Sequence, residues 1–235
     1  MSSFPSQLSL IDYIQYLPHQ EKSECCTASS TLLAIEIMMA MNHRRIFFSR
    51  LYLYYMTRKL QNRLDKRGAE LRETLRALAL YGVCSESRWP FSSHRIDLEP
   101  GLNEMQEASH YKLQSYDIIS INDWKEYLNK GIPVIFGMLT GKRFKFIKGK
   151  LEDQQYWPIN DTDNKLSLGH AMTCIGYNDN LNDGSWIVAN SYGPKWGQNG
   201  YAAIPYKCNS DIIESYAIIE FAGIPMDKKF PIIDK

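Results

Sequence analysis

Residues 169–201 constrain the fold more than any other stretch of this 235-residue chain. Apolar side chains alternate along residues 170–177, which is the pattern of a half-buried strand. A polar loop of Asn, Asp and Gly follows, and a second apolar run, residues 185–189, leads to Asn190 in a turn rich in Gly and aromatic residues. Because the loop is short, the two strands should be neighbours. His170 and Asn190 should therefore lie side by side.

This pairing suits one kind of chemistry. An imidazole that is held in one orientation and one tautomer by a neutral amide oxygen can act as a base. A single histidine is more often a core residue with its hydrogen bonds satisfied. Gly169 before His170 and Asn190 after it favour the base instead. Such a base needs a nucleophile.

The nucleophile is expected near the start of the chain. Residues 27–41 carry apolar side chains at helical spacing and almost all round, which predicts a central buried helix with Cys26 at its N-terminus. Unpaired backbone N–H groups and the helix dipole stabilise an anion there, so the pKa of the thiol should be lowered. Gln20 supplies an amide that can donate to a developing oxyanion.

These residues, in the order Gln20, Cys26, His170 and Asn190, resemble the papain-like cysteine peptidases of the C1 family. The most specific signature is Asn190-Ser191-Tyr192-Gly193, followed by Trp196-Gly197 and Asn199-Gly200-Tyr201. Residues 49–55 and 81–91 are similar to the bacterial-type branch that lacks a prodomain. The resemblance covers the chain from about residue 12 to residue 221.

Cys25 competes with Cys26 for the role of nucleophile, because the two cysteines are adjacent. The spacing from Gln20 and the Thr27-Ala28 that follows agree with the family when Cys26 is the nucleophile. A lone buried cysteine is usually structural, and that is the simplest interpretation of the other three: Cys84, Cys174 and Cys208.

The resemblance implies an α+β, papain-like fold. A mainly helical half, residues 1–115, would carry the nucleophile, and its N-terminal segment would cross to the other half. An antiparallel, β-barrel-like half, residues 116–235, would carry His170 and Asn190. The active-site cleft would lie between them.

The resemblance also assigns residues around the catalytic set. Gly68 and Ala69 would run past the substrate backbone, and Gly169 would also contact the substrate. Tyr192 and Trp196 would shield the pair formed by His170 and Asn190 from water.

Two departures from the family pattern add negative charge. Glu21 stands where a glycine usually follows the glutamine, and Glu24-Cys25 replaces the usual Gly-Ser before the nucleophile. A carboxylate beside a thiolate opposes ionisation of the thiol. We therefore expect a slower enzyme or a preference for basic substrates.

The expected activity is that of a cysteine endopeptidase, which hydrolyses peptide bonds through a Cys-His-Asn triad and a covalent thioester. Two alternatives stay open. The same triad can transfer the acyl group to an amine, as in a transamidase or ligase. The chain can also be a catalytically silent, peptide-binding module with the papain fold.

The composition limits the kinds of molecule that we expect to bind to this chain. A formal net charge of +1 gives no case for nucleic acid or an anionic membrane as a partner. The five cysteines form no metal-type spacing, and their odd number argues against a disulfide framework. We expect a peptide or protein substrate and no metal or cofactor, and the sequence does not identify a regulatory or inhibitor protein.

The N-terminus lacks the basic lead and the apolar core of a secretory signal. No run approaches the roughly 18 apolar residues of a membrane span. The sequence predicts a cytoplasmic protein, or one exported without a classical signal peptide. About two dozen residues precede Cys26, so we expect no inhibitory propeptide of the usual size.

Overall fold

The fold is organised around one buried helix, α1, which spans Cys26–Met41. The computed structural model of the chain describes residues 4–154, 156 and 168–225. Nearly every side chain of α1 is buried, as its apolar composition on all sides predicts. Helices α2 (Arg50–Leu60) and α3 (Leu71–Tyr81) pack against α1, and α5 (Trp124–Asn129) packs on the sheet. Helix α4 (Leu102–Ala108) ends beside Gly82, the residue that follows α3.

The end of α3 requires a glycine. Gly82 follows the last helical residue with φ +73°, a conformation that residues with a β-carbon rarely adopt. A β-carbon on Gly82 would also overlap the backbone carbonyl of Ala108, so the helix and the segment after α4 meet closely at this point.

The strands form one antiparallel sheet in the order β2-β7-β3-β4-β5-β6. Two short strands add to it, β1 against β4 and β8 against β7. The bounds are β1 Gln7–Ser9, β2 Leu113–Ile118, β3 Val134–Thr140, β4 Leu168–Asn178, β5 Ser185–Ala189, β6 Tyr201–Pro205, β7 Ile212–Phe221 and β8 Ile224–Pro225. The predicted α+β class is thus confirmed. The terminal strands β2 and β6 do not pair within the described ranges, so the sheet is open there and the expected barrel-like closure is not complete.

Strand β4 positions the site because it lies in the middle of the sheet and also packs against α1. His170, near its start, is opposite Met138 of β3, and Thr173 is opposite Ala189 of β5. The Thr173 hydroxyl donates a hydrogen bond of 2.9 Å to the backbone carbonyl of Ser30 in α1. This contact fixes the beginning of the helix beside the beginning of the strand.

The sequence did not predict β1, α4 or β2. The pairing of β1 with β4 brings residues 7–9 to the strand-rich part of the molecule, while the division into halves at residue 115 stays a prediction. The polar sequence of residues 140–168 predicts a loop or a hairpin on the rim of the cleft. The described part of this segment contains two short 3-10 helices, Lys142–Phe146 and Leu151–Asp153. Residue 155 and residues 157–167 lie outside the described residues.

No helix in the described ranges is both long enough and apolar enough to cross a bilayer.

Candidate active site

The two adjacent cysteines have different surroundings. Cys26 is the first residue of α1 and is partly exposed, whereas Cys25 is completely buried. The Cys25 sulfur lies 3.0 Å from the Ser23 hydroxyl, which donates to it, and 3.6 Å from the Ser29 hydroxyl. Of the two thiols, Cys26 is therefore the one that a substrate can approach.

The start of α1 meets the start of β4 at the Cys26 sulfur. The backbone N–H of Ala171, the residue after His170, acts on this sulfur and favours the lower pKa of the thiol. The backbone N–H groups of Cys26 and Thr27 also face it. The helix start therefore does supply the donors that the sequence predicts for a nucleophilic sulfur.

Although part of the residue is exposed, desolvation of the Cys26 sulfur outweighs these donors. It raises the pKa of the Cys26 thiol to about 11, although the N–H groups of Ala171, Thr27 and Cys26 act in the opposite direction. The expectation of a lowered thiol pKa was thus wrong in its sign for the protein as folded. The physical reason is that the free-energy cost of removing a thiolate from water exceeds the stabilisation that three backbone donors provide.

His170 and Asn190 are joined by a hydrogen bond of 2.7 Å between Nε2 and Oδ1. The backbone N–H of Ser191 donates to the same Oδ1, also at 2.7 Å. A backbone N–H can only donate, so the oxygen end of the Asn190 amide must face both groups. His170 Nε2 therefore carries the hydrogen, and Nδ1 keeps a lone pair that can accept a proton.

Burial lowers the pKa of His170 to about 4, the hydrogen bond that its Nε2–H donates to Asn190 partly opposes this effect, and the charge of Lys145 adds to it. Both shifts favour an uncharged thiol and imidazole over an ion pair. A thiolate and an imidazolium in contact would stabilise each other and would oppose both shifts.

Aromatic side chains cover the imidazole. The Tyr192 ring centroid lies 4.5 Å from that of His170, and its hydroxyl is 3.5 Å from Nδ1. The Phe144 ring lies 5.6 Å from His170 and 5.2 Å from Trp196. The indole N–H of Trp196 donates to the Phe144 carbonyl at 2.8 Å. Tyr192 and Trp196 were expected here, but Phe144 was missed because its segment shows no strand or helix periodicity.

Gln20 is held by the residue after Asn190. Its Oε1 accepts a hydrogen bond of 2.5 Å from the Ser191 hydroxyl, and its backbone N–H donates to the Ser191 carbonyl at 2.8 Å. The side-chain oxygen is thereby occupied, and the NH₂ group is left as a donor. Ser191 belongs to the sequence signature, but its role in orienting Gln20 became visible only from the contacts.

The three residues expected to contact substrate differ in how accessible they are. Gly68 donates its backbone N–H to the Tyr54 hydroxyl at 2.9 Å, so that N–H is already used. Ala69 is partly buried against the core. Gly169 is exposed, and among the described residues nothing lies within 4 Å of where its β-carbon would be.

Nothing in the described ranges points to a metal centre. Among these residues, no group of three or more His, Cys, Asp or Glu side chains is arranged to hold a metal ion. All five cysteines are free thiols.

Comparison with known proteins identifies the family. The family described as "Papain family cysteine protease" matches residues 9–221. An uncharacterized peptidase C1-like protein of Acanthamoeba polyphaga mimivirus is 29% identical over 97% of this chain and 75% of its own length. Macrodontain-1 from Ananas macrodontes is 42% identical over 64% of this chain and 62% of that protein.

A solved structure shares the fold. Xylellain, a cysteine protease from Xylella fastidiosa, superposes with a TM-score of 0.80 at 24% identity and covers 92% of this chain and 87% of its own. The family match spans most of the chain, including the segments that carry both cysteines, the histidine and the asparagine. This chain therefore belongs to the papain family of cysteine proteases and is a thiol peptidase.

Proposed function

We propose that this protein is a cysteine endopeptidase in which Cys26 is the nucleophile, His170 the base and Asn190 the residue that orients the base. The main support is the double hydrogen bond at Asn190 Oδ1, which holds His170 with Nε2 protonated and Nδ1 unprotonated. The effect of the Ala171 N–H on the Cys26 thiol supports the same assignment, because it indicates that the neighbour of the base lies near the nucleophile.

In the first step, the Cys26 sulfur attacks the carbonyl carbon of the scissile peptide bond while His170 Nδ1 takes the thiol proton. The carbonyl oxygen becomes an oxyanion. The Gln20 side-chain NH₂ and the backbone N–H of Cys26 donate hydrogen bonds to it. The bond between Gln20 Oε1 and Ser191 keeps the donor end of the amide available for this purpose.

In the second step, the tetrahedral intermediate collapses and the C–N bond breaks. His170 gives its Nδ1 proton to the leaving amine, and a thioester to Cys26 remains. A water molecule then loses a proton to His170 and attacks the thioester. The carboxylic acid product leaves, and the sulfur recovers the proton.

The pKa directions specify when the charges form. Burial favours the neutral thiol and imidazole, so proton transfer would accompany attack and would not precede it. Since a buried imidazole with a pKa of about 4 stays unprotonated at neutral pH, the base is ready to accept a proton there.

The test compares two alanine variants. Cys26→Ala should reduce peptide hydrolysis by at least about a thousandfold, while Cys25→Ala should keep turnover within about tenfold of wild type. Thermal unfolding of both variants controls for the loss of a buried side chain at Cys25. The assignment fails if a folded Cys25→Ala loses turnover and Cys26→Ala keeps it.

One observation favours a second candidate, the silent peptide-binding module. The same burial that raises the pKa of the Cys26 thiol to about 11 would leave it unreactive near pH 7 if His170 gave no assistance. Alkylation of Cys26 by iodoacetamide at pH 7 separates the two. A peptidase should react at least about tenfold faster than its His170→Ala variant, whereas equal rates would favour the silent module.

A further inference from the structure

Two glutamates before the nucleophile have an unusual backbone conformation. Glu21 has φ +50° and Glu24 has φ +60°, both in the left-handed region that favours glycine. They occupy the two positions where the family resemblance leads one to expect glycine. The chain thus keeps two carboxylate side chains where a glycine would fit the backbone better.

The Glu24 side chain lies at the cleft. The residue is exposed and stands two positions before Cys26 in the chain. A carboxylate oxygen is 3.9 Å from the point where a β-carbon on Gly68 would stand. Its charge also acts on Tyr192, which covers His170. Glu24 therefore lies near the segment of Gly68, and its charge acts on the aromatic cover of the base.

This carboxylate has no partner within the chain as described. Among the described residues, Glu24 makes no hydrogen bond and no ion pair. The cation beside Gly68 in sequence, Arg67, is already bound to Asp97 through two bonds of 3.0 Å. A positive group that meets Glu24 must come from another molecule.

We propose, on the basis of the function proposed above, that Glu24 binds the cationic side chain of the substrate residue whose carbonyl is attacked. In the thioester that residue is joined to the Cys26 sulfur, so its side chain lies within reach of a carboxylate two positions away. The enzyme should therefore prefer Lys or Arg at this place. Arg can bind a carboxylate with two parallel hydrogen bonds.

The part of the site next to His170 carries the opposite charge. Lys145 is exposed, and its charge acts on His170, the residue that protonates the leaving amine. A basic side chain would be repelled on that side. The two charges therefore favour binding of a basic residue on the acyl side, next to Glu24.

The experiment uses fluorogenic peptides that differ only in the residue that supplies the scissile carbonyl: Lys, Arg, Gln or Glu. For the wild-type chain, kcat/KM should be about tenfold higher with Lys than with Gln, and the ratio should fall as NaCl is raised from 50 to 500 mM. Glu24→Gln should bring the ratio close to one. Glu24→Lys should favour the Glu peptide.

Glu21→Gln is the matched control, because Glu21 has the same backbone conformation and is also exposed. It should keep the wild-type preference. A wild-type ratio near one, or a ratio that Glu24→Gln leaves unchanged, would overturn the role of Glu24 while leaving the peptidase intact. If the wild-type chain hydrolyses none of the peptides and Cys26 shows no His170-dependent alkylation, the proposed function itself fails.

Discussion

Glu36 offers a quantitative test because it is a buried carboxyl on the helix that carries Cys26. It is 8% exposed, and its Oε1 accepts a hydrogen bond of 2.9 Å from the Phe48 backbone N–H. Burial raises its pKa from 4.5 to about 7, although the charge of Arg50 and the Phe48 N–H oppose the shift. Glu36→Gln keeps the acceptor for Phe48 and removes the titration.

The sign follows from proton binding. Between pH 4.5 and about 7 the folded protein holds a proton on Glu36 that the unfolded chain has lost. Its contribution to stability is therefore full below pH 4.5 and is lost as the pH rises through 7. At about 1.36 kcal/mol per pKa unit, the difference between the folded and unfolded pKa values of Glu36 changes the free energy of unfolding by about 3 kcal/mol.

Protonation of His170 changes the free energy of unfolding in the opposite direction over nearly the same pH range. Its pKa is lowered from 6.5 to about 4, so the unfolded chain binds the extra proton and stability rises as the pH goes from 4 to 6.5. This contribution is also worth about 3 kcal/mol. The two effects nearly cancel. We expect the free energy of unfolding of the wild-type chain to change little between pH 4.5 and 6.5, and that of Glu36→Gln to rise by about 3 kcal/mol.

Urea unfolding at a series of pH values measures these free energies. Burial also raises the pKa of Glu86, which stays in both proteins, so the quantity to compare is the difference between the two profiles. Glu126→Gln, which removes an exposed carboxylate paired with Lys130 at 2.7 Å, is the control and should run parallel to the wild type. Parallel profiles for Glu36→Gln and the wild type would refute the reasoning.

Three further predictions concern the site and its scaffold. Lys145→Gln removes a charge that lowers the pKa of His170, so the acid limb of kcat/KM should move to higher pH, and an unmoved limb would contradict the effect. Ser191→Ala releases the Gln20 side-chain oxygen and should lower kcat about tenfold with little change in KM; an unchanged kcat would remove Ser191 from the positioning role. Gly82→Ala forces a β-carbon onto a backbone carbonyl at positive φ and should destabilise the fold by more than about 2 kcal/mol in thermal unfolding, whereas a wild-type melting temperature would contradict the close contact.

The sequence predicted the long, periodic elements because their pattern reflects burial directly. Helix α1 is apolar on all sides and buried along nearly its whole length. Strand β4 forms where it is predicted, but the expectation of a half-buried strand is wrong: residues 170–177 are all buried, because β4 lies in the middle of the sheet and also packs against α1. The sequence does not predict strand β1, because this strand is only three residues long and is stabilised by pairing with β4. A β-carbon on Gly176 of β4 would overlap the Leu8 carbonyl, so this pairing depends on a glycine that no local pattern explains.

The candidate active site also has some features that the sequence predicts and others that it does not. The adjacency of His170 and Asn190 could be predicted because two neighbouring strands bring their ends together. Phe144 could not, because it reaches the site from a short 3-10 helix. The pKa of the Cys26 thiol was predicted with the wrong sign, because a helix start reveals its donors in the sequence while the degree of burial depends on the whole fold.

The central claim is that Cys26, with His170 and Asn190, forms the covalent acyl-enzyme. Its most direct test is to quench the reaction with an ester substrate in acid and to locate the acyl group by tandem mass spectrometry. We expect the acyl mass on Cys26 in the wild-type chain and its loss, with folding retained, in His170→Ala. An acyl group on Cys25, or acylation of Cys26 at the same rate without His170, would contradict the account.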